Sequence, residues 1–228
     1  MSVTRALALR TAATVRAVVP CLIVFSLLCA SAQASLLLPG VTTLAAGEAE
    51  PSGPTKIEAT LTVPVVAATF SGSLASTVLS GDTSNPFPGG LTFIYELSNF
   101  ETSPHAIHRF TVSNFTTFST DVSYSTLSGG TAPTLMDRGP LPGDVVGFTF
   151  IGLPLGAGAL APGSTATTLV IQTDATVWST SKAAVINGST ANVDALAPIA
   201  IPEPGTCAMA LIGAVMTGFC CWRRRASK

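Results

Sequence analysis

Between residues 63 and 197 apolar and polar positions alternate in short bursts, each closed by Gly, Pro, Asn or Asp. The clearest burst is Leu91–Ser98, with Leu91, Phe93, Tyr95 and Leu97 on one face and Thr92, Glu96 and Ser98 on the other. Strict alternation is the mark of a strand with one buried face. Val63–Val78 reads as one long strand or a hairpin broken near Gly72. His108–Asn114, Val122–Leu127, Val145–Ile151 and Thr168–Thr173 follow, and Ala183–Val193 is the last. Turn residues separate them at 80–90, 128–130 and 138–143. No window shows helical periodicity with a charged face. Seven or so short strands with such turns predict an all-β, antiparallel β-sandwich over 63–197. Residues 35–62, rich in Pro, Gly, Ala and Glu, predict an extended, poorly ordered lead-in.

The ends break this pattern. Arg5, Arg10 and Arg16 precede an apolar run from Val18 to Ala30, and Ala32-Gln33-Ala34 supplies small side chains ahead of Ser35. That order predicts a signal peptide over 1–34, cut before Ser35 by signal peptidase, with Ala32 and Ala34 in its recognition positions. At the other end, 198–228, Pro202-Glu203-Pro204 leads into an uncharged run from Gly205 to Trp222, then Arg223-Arg224-Arg225. Eighteen residues span roughly 27 Å as a helix at about 1.5 Å each, close to the hydrocarbon thickness of a bilayer. One transmembrane helix is expected there, with the basic end cytoplasmic and the body outside. The prolines hold the segment before it extended.

Cysteine and charge agree with export. Of five cysteines, two fall in the amino-terminal run and three in the tail, so the body has none to form disulfides, thiolate metal sites or a nucleophile. The body carries four basic side chains against eleven acidic ones, a net charge of −7. An acidic domain is a poor partner for nucleic acid.

Pro202-Glu203-Pro204, the apolar run and the arginine cluster together resemble the PEP-CTERM sorting signal of bacterial exported proteins. The resemblance implies a substrate of an exosortase, a membrane-embedded cysteine protease, with Pro202, Glu203 and Pro204 as recognition element and Arg223, Arg224 and Arg225 as retention signal. It implies delivery through the inner membrane to the cell surface or a biofilm matrix, with exopolysaccharide as a candidate partner. The resemblance covers about 27 residues, and bodies in this family are unrelated, so it speaks of processing and not of activity.

The body offers little catalytic chemistry. Its two histidines, His105 and His108, stand three apart, which on a strand sets them on opposite faces, so joint metal binding needs a loop there. No Gly-x-Ser-x-Gly elbow accompanies the many serines. Glu96 and Glu101 are the nearest carboxylate pair, with Glu96 expected on a solvent face. Asp82 with Asn85, and Asp137 with Asp144, are loop pairs of oxygen ligands, each weak alone as a calcium site. Trp178, the body's one tryptophan, is the candidate platform for a sugar ring, against packing on a neighbouring sheet. The expectation is a non-enzymatic surface or matrix protein of structural or adhesive type, with no cofactor and no metal. A carbohydrate-binding module, a secreted hydrolase and an uncut membrane-anchored protein are the alternatives.

Overall fold

The computed structural model describes residues 36–152 and 158–200. The expected signal segment with Ala32, Ala34 and Ser35, and the tail with Pro202–Pro204 and Arg223–Arg225, lie outside the described residues. Twelve strands form: β1 (Thr42–Leu44), β2 (Gly47–Glu48), β3 (Lys56–Val66), β4 (Ser71–Ser80), β5 (Thr92–Asn99), β6 (Arg109–Val112), β7 (Thr120–Ser125), β8 (Leu135–Arg138), β9 (Val146–Thr149), β10 (Leu169–Thr173), β11 (Trp178–Asn187) and β12 (Ser189–Pro198). They make two six-stranded sheets, ordered β1-β8-β9-β6-β11-β12 and β2-β7-β10-β5-β4-β3. Neighbours run antiparallel except β2 and β7, which are parallel. Among the described residues there is no helix.

Alternation drives the packing. Phe93, Tyr95 and Leu97 of β5 and Leu169 and Ile171 of β10 point inward from one sheet, and Phe110 of β6 and Phe148 of β9 from the other. All are fully buried in one core. Tyr95 meets Phe110 across the sheets at a ring separation of 5.3 Å, and Phe93 meets Phe115 edge-on at 6.1 Å. Burying such a side chain is worth about 1.5–3 kcal/mol, so these rings dominate the cohesion of the two sheets.

A polar rivet joins the same layers. The Tyr95 hydroxyl donates to the Leu196 carbonyl at 2.7 Å, and the Leu196 amide donates to Ser76 Oγ at 3.1 Å. Leu196 lies on β12, at the edge of its sheet, so its outward backbone groups are satisfied by the opposite sheet. An edge strand of the second sheet, β3, carries Lys56, Glu58 and Pro64, residues that discourage further pairing.

Several elements depart from the sequence pattern. The hairpin reading of 63–78 holds, but the turn falls at 67–70. Gly72 lies inside β4, where an added Cβ would sit 2.1 Å from the Ser98 carbonyl, so it permits close strand contact instead of breaking the strand. Ala183–Val193, read as one strand, is the tip of a hairpin of two ten-residue strands folded about Gly188, whose φ is 64°. The stretch expected as a poorly ordered lead-in supplies β1 and β2, one to each sheet, and the start of β3. Leu37 and Glu50 within it are almost fully buried. β8 falls in a segment with no apolar alternation of its own. It is held by pairing to β9 and β1.

Candidate functional sites

Strand register sorts the loops into two ends. Trp178 pairs with Pro198 at one end of the β11–β12 hairpin, and Asn187 pairs with Ser189 at the other. The end holding Trp178 also holds 36–41, 113–119, 138–145 and 174–177, and there the chain leaves the sheet toward residue 200. Ile199 is the last residue tied to the sheet, its amide donating to the Val177 carbonyl at 3.1 Å. We call this the exit end.

Arg138 organises it. The side chain is 5% exposed and uses every nitrogen. Nε donates to the Gly143 carbonyl at 2.8 Å. Nη1 donates to the Leu37 carbonyl at 3.2 Å and to Thr120 Oγ1 at 2.9 Å. Nη2 donates to the Phe115 and Phe118 carbonyls at 2.6 and 2.8 Å. The loop so clamped contains Asn114 and Thr117 at φ 82° and 72°, left-handed conformations that a β-branched threonine rarely adopts. Asp144 Oδ1 supports the same loop, accepting from the Asn114 amide and Thr116 Oγ1. Burial lowers the Arg138 pKa, and the charge of Asp174 opposes this.

A buried polar layer lies near the same end, on the outer face of the second sheet. Asp121, Gln172 and Thr92 are direct neighbours across β7, β10 and β5. Asp82 closes over them. Its Oδ1 accepts from the Ser52 and Ser84 amides and Ser84 Oγ, and its Oδ2 accepts from Thr92 Oγ1 at 2.7 Å and Gln172 Nε2 at 2.9 Å. Burial pushes the Asp82 carboxyl up, but these five donors outweigh it and hold the pKa below the usual range.

Glu50 and Asp121 are in the opposite condition. Both are almost fully buried, Glu50 bonded to the Ser123 hydroxyl and the Asp121 oxygens without any hydrogen bond of ordinary length and angle. Burial lifts the Glu50 carboxyl to about 7. The Ser123 hydrogen bond opposes that rise, and the charges of Glu48, Asp121 and Asp82 add to it. Burial and the Glu48 charge lift Asp121 to about 6 against the pull of the Val122 amide. The folded chain therefore keeps protons here that the unfolded chain has already lost. The stability these groups contribute is full below the ordinary carboxylate range and falls as pH rises toward about 7. We expect urea unfolding to show a higher midpoint at about pH 5 than at about pH 8, by on the order of 2 kcal/mol for the pair after solvent screening. The Glu50→Gln/Asp121→Asn chain should lose that slope. A native midpoint that climbs over the same interval contradicts the assignment.

The remaining sequence candidates fall elsewhere. A loop over 104–106 brings His105 and His108 to one open cleft of about 540 Å³ at the opposite end, with Thr69, Ala159 and Asn187. The strand geometry that would separate them does not apply. Among the described residues no three His, Cys, Asp or Glu side chains are grouped to hold a metal ion. Asp137 is taken by Arg109 in a two-pronged ion pair at 2.6 and 2.7 Å, and Asn85 donates to the Leu91 and Thr173 carbonyls. Glu96 is exposed on β5, and Phe115 is core. Trp178 is 37% exposed at the start of β11, beside Pro198, far along the hairpin from the histidine cleft. Arg138 and the Asp82 layer escaped sequence reasoning because their partners are scattered along the chain.

Residues 200–225 match the PEP-CTERM protein-sorting motif. No curated protein and no solved structure matches the chain. The motif marks an exported protein that passes the membrane and is handled there by exosortase-type machinery. The match begins one residue beyond Ile199, the last of the described residues seen bonded to the sheet.

Proposed function

We propose that the chain is a non-catalytic, structural or adhesive component of the bacterial cell surface or extracellular matrix. The signal peptide over 1–34 is removed before Ser35. The tail is held by a helix over Gly205–Trp222 and by Arg223, Arg224 and Arg225, and is cut near Pro202-Glu203-Pro204, freeing the β body as the working product. The observation that carries this reading is the sorting motif joined directly to the last strand. The use of charged side chains supports it. Arg138, Asp82, Asp137 and Asp144 are each engaged in bonds that hold backbone or pair strands.

The test is complementation in the native host, scoring cohesion or matrix retention of cells lacking the chain. Wild type and the His105→Ala/His108→Ala chain should restore it equally. Loss with the histidine variant, together with loss of a measurable turnover, would favour the hydrolase reading.

One observation favours a second reading, a carbohydrate-binding body. The cleft holding His105 and His108 has a volume in the range typical of ligand sites, and its Asn187 and Thr69 offer polar contacts. On that reading the sugar meets this cleft and not Trp178. Oligosaccharide titration followed through the histidine ring resonances distinguishes the two.

A further inference from the structure

The exit end presents a connected apolar rim. Leu36, Leu38, Leu141, Trp178 and Ile199 are between 37 and 84% exposed. A shallow cleft of about 210 Å³ lies between Leu36, Leu38, Pro142 and Phe118. A second, of about 250 Å³, has Phe118, Pro198 and Ile199 along one side and Asn114, Thr116 and Asp144 along the other. Phe118 is common to both, and Trp178 flanks Pro198 on the adjacent strand. The rim is therefore continuous from the first described residue to the last strand.

Charge is sparse here, the exposed groups being Asp174 and Lys56, which pairs with Glu58. Arg138 is buried behind the rim with all its nitrogens occupied. Asp144 caps the 114–116 turn, and Asp174 accepts from the Ser119 amide. The opposite end also exposes single apolar side chains, Phe100 and Leu127 among them. What sets the exit end apart is where the chain goes next.

Five residues, 200–204, separate Ile199 from the uncharged run that starts at Gly205. Fully extended, that connection reaches at most about 20 Å at about 3.4 Å per residue. With the run in the bilayer, the exit end stands within a headgroup layer or two of the hydrocarbon. The other end of the ten-residue β11 is about 30 Å further out at about 3.3 Å per residue. Connectivity thus turns the apolar rim toward the lipid. Its residues suit that boundary, since tryptophan favours the interface and Leu and Ile gain by entering the acyl region.

We propose that the exit end of the body seats on the bilayer surface while the tail is uncut, with Trp178, Ile199, Leu36, Leu38 and Leu141 at the headgroup–acyl boundary. The proposal rests on the reading that Gly205–Trp222 enters the membrane. A few apolar side chains bind a bilayer only marginally, much as one acyl chain does. The tether raises their effective concentration and makes the seat persistent. Cutting at the sorting motif removes the tether, and the body lifts off. The seat holds the motif at the membrane surface before the cut and sets the body free after it.

The experiment uses the chain from Ser35 onward, as signal removal leaves it, carrying Trp222→Phe, so that Trp178 is its single tryptophan. It is reconstituted into phosphatidylcholine vesicles whose lipids are brominated on the upper acyl chain. A second form adds a Gly/Ser spacer of about 20 residues between Ala200 and Ile201, long enough to let the body leave the surface. Co-flotation with the vesicles reports insertion of the tail. Quenching of Trp178 by about half in both forms is the expected result. A spacer form that also carries Leu36→Ser, Leu38→Ser and Leu141→Ser should lose it. Quenching confined to the form without the spacer overturns the seat, since nearness then comes from the tether alone. Co-flotation without quenching in either form overturns it as well. Failure to float sinks the tail reading itself, and the proposal with it.

Discussion

Replacing Arg138 by methionine is expected to cost the folded body about 3–5 kcal/mol, out of the roughly 5–15 kcal/mol that holds a domain of this kind together. The methionine stem fills the volume of the arginine but supplies none of its five hydrogen bonds. The carbonyls of Phe118 and Gly143 are left without a donor, while that of Leu37 keeps Thr120 Oγ1 and that of Phe115 keeps the Phe118 amide. Each orphaned group costs about 1–3 kcal/mol, lessened by whatever water the relaxed loop admits. The 114–118 loop, held with Thr117 in a left-handed conformation, is the first part expected to give way. Arg138→Lys should fall between, because an ammonium has three donors and no fork. Urea unfolding followed by near-ultraviolet dichroism measures this. An Arg138→Met chain within about 1 kcal/mol of wild type would show that the clamp is incidental.

Changing Pro202, Glu203 and Pro204 together to alanine is expected to abolish processing. Proline fixes φ and lacks an amide donor, so on the proposed reading Pro202 and Pro204 bar a tail helix from growing back toward the body. Alanine, the best helix former, removes that stop and the extended grip for a protease in one step. The precursor should then accumulate in the membrane fraction with no body in the medium, a change from near-complete release to almost none. The body itself should keep its wild-type unfolding midpoint, because the last hydrogen bond to the sheet is made by Ile199, upstream of the change. Continued release of a shortened chain from the triple variant would detach processing from the motif.

How legible the fold was depended on whether a strand's reason for being lay within the strand. β5 was read almost residue for residue because its own alternation places Phe93, Tyr95 and Leu97 in the core. β10 was equally plain from the apolar Leu169-Val170-Ile171 at its start, as befits a strand covered on both faces. β8 could not be read, since Leu135–Arg138 is a strand only through what β1 and β9 bring to it. The β11–β12 hairpin left a local signal, the Asn187-Gly188 pair, which is a strong hairpin marker but is also half of a glycosylation pattern. The lead-in misled for a compositional reason. Pro, Gly and Glu describe disorder when solvated, yet Glu50 is buried beneath its own segment against Ser123. The sorting motif was legible because its logic is one-dimensional: a short motif, a run of fixed length and a basic stop. Arg138, the Asp82 layer and the shared cleft of His105 and His108 depend on loops meeting in space, and no spacing in the chain encodes them.

The central claim is that the chain is a processed sorting substrate whose folded body is the product. Mass spectrometry of the C-terminal peptide, on protein recovered from the cell envelope and the medium of the native host, tests it most directly. The account predicts a mature end close to Pro204 on released protein, with Lys228 confined to the membrane-bound precursor. An intact end at Lys228 in both fractions would contradict it and make the tail a permanent anchor.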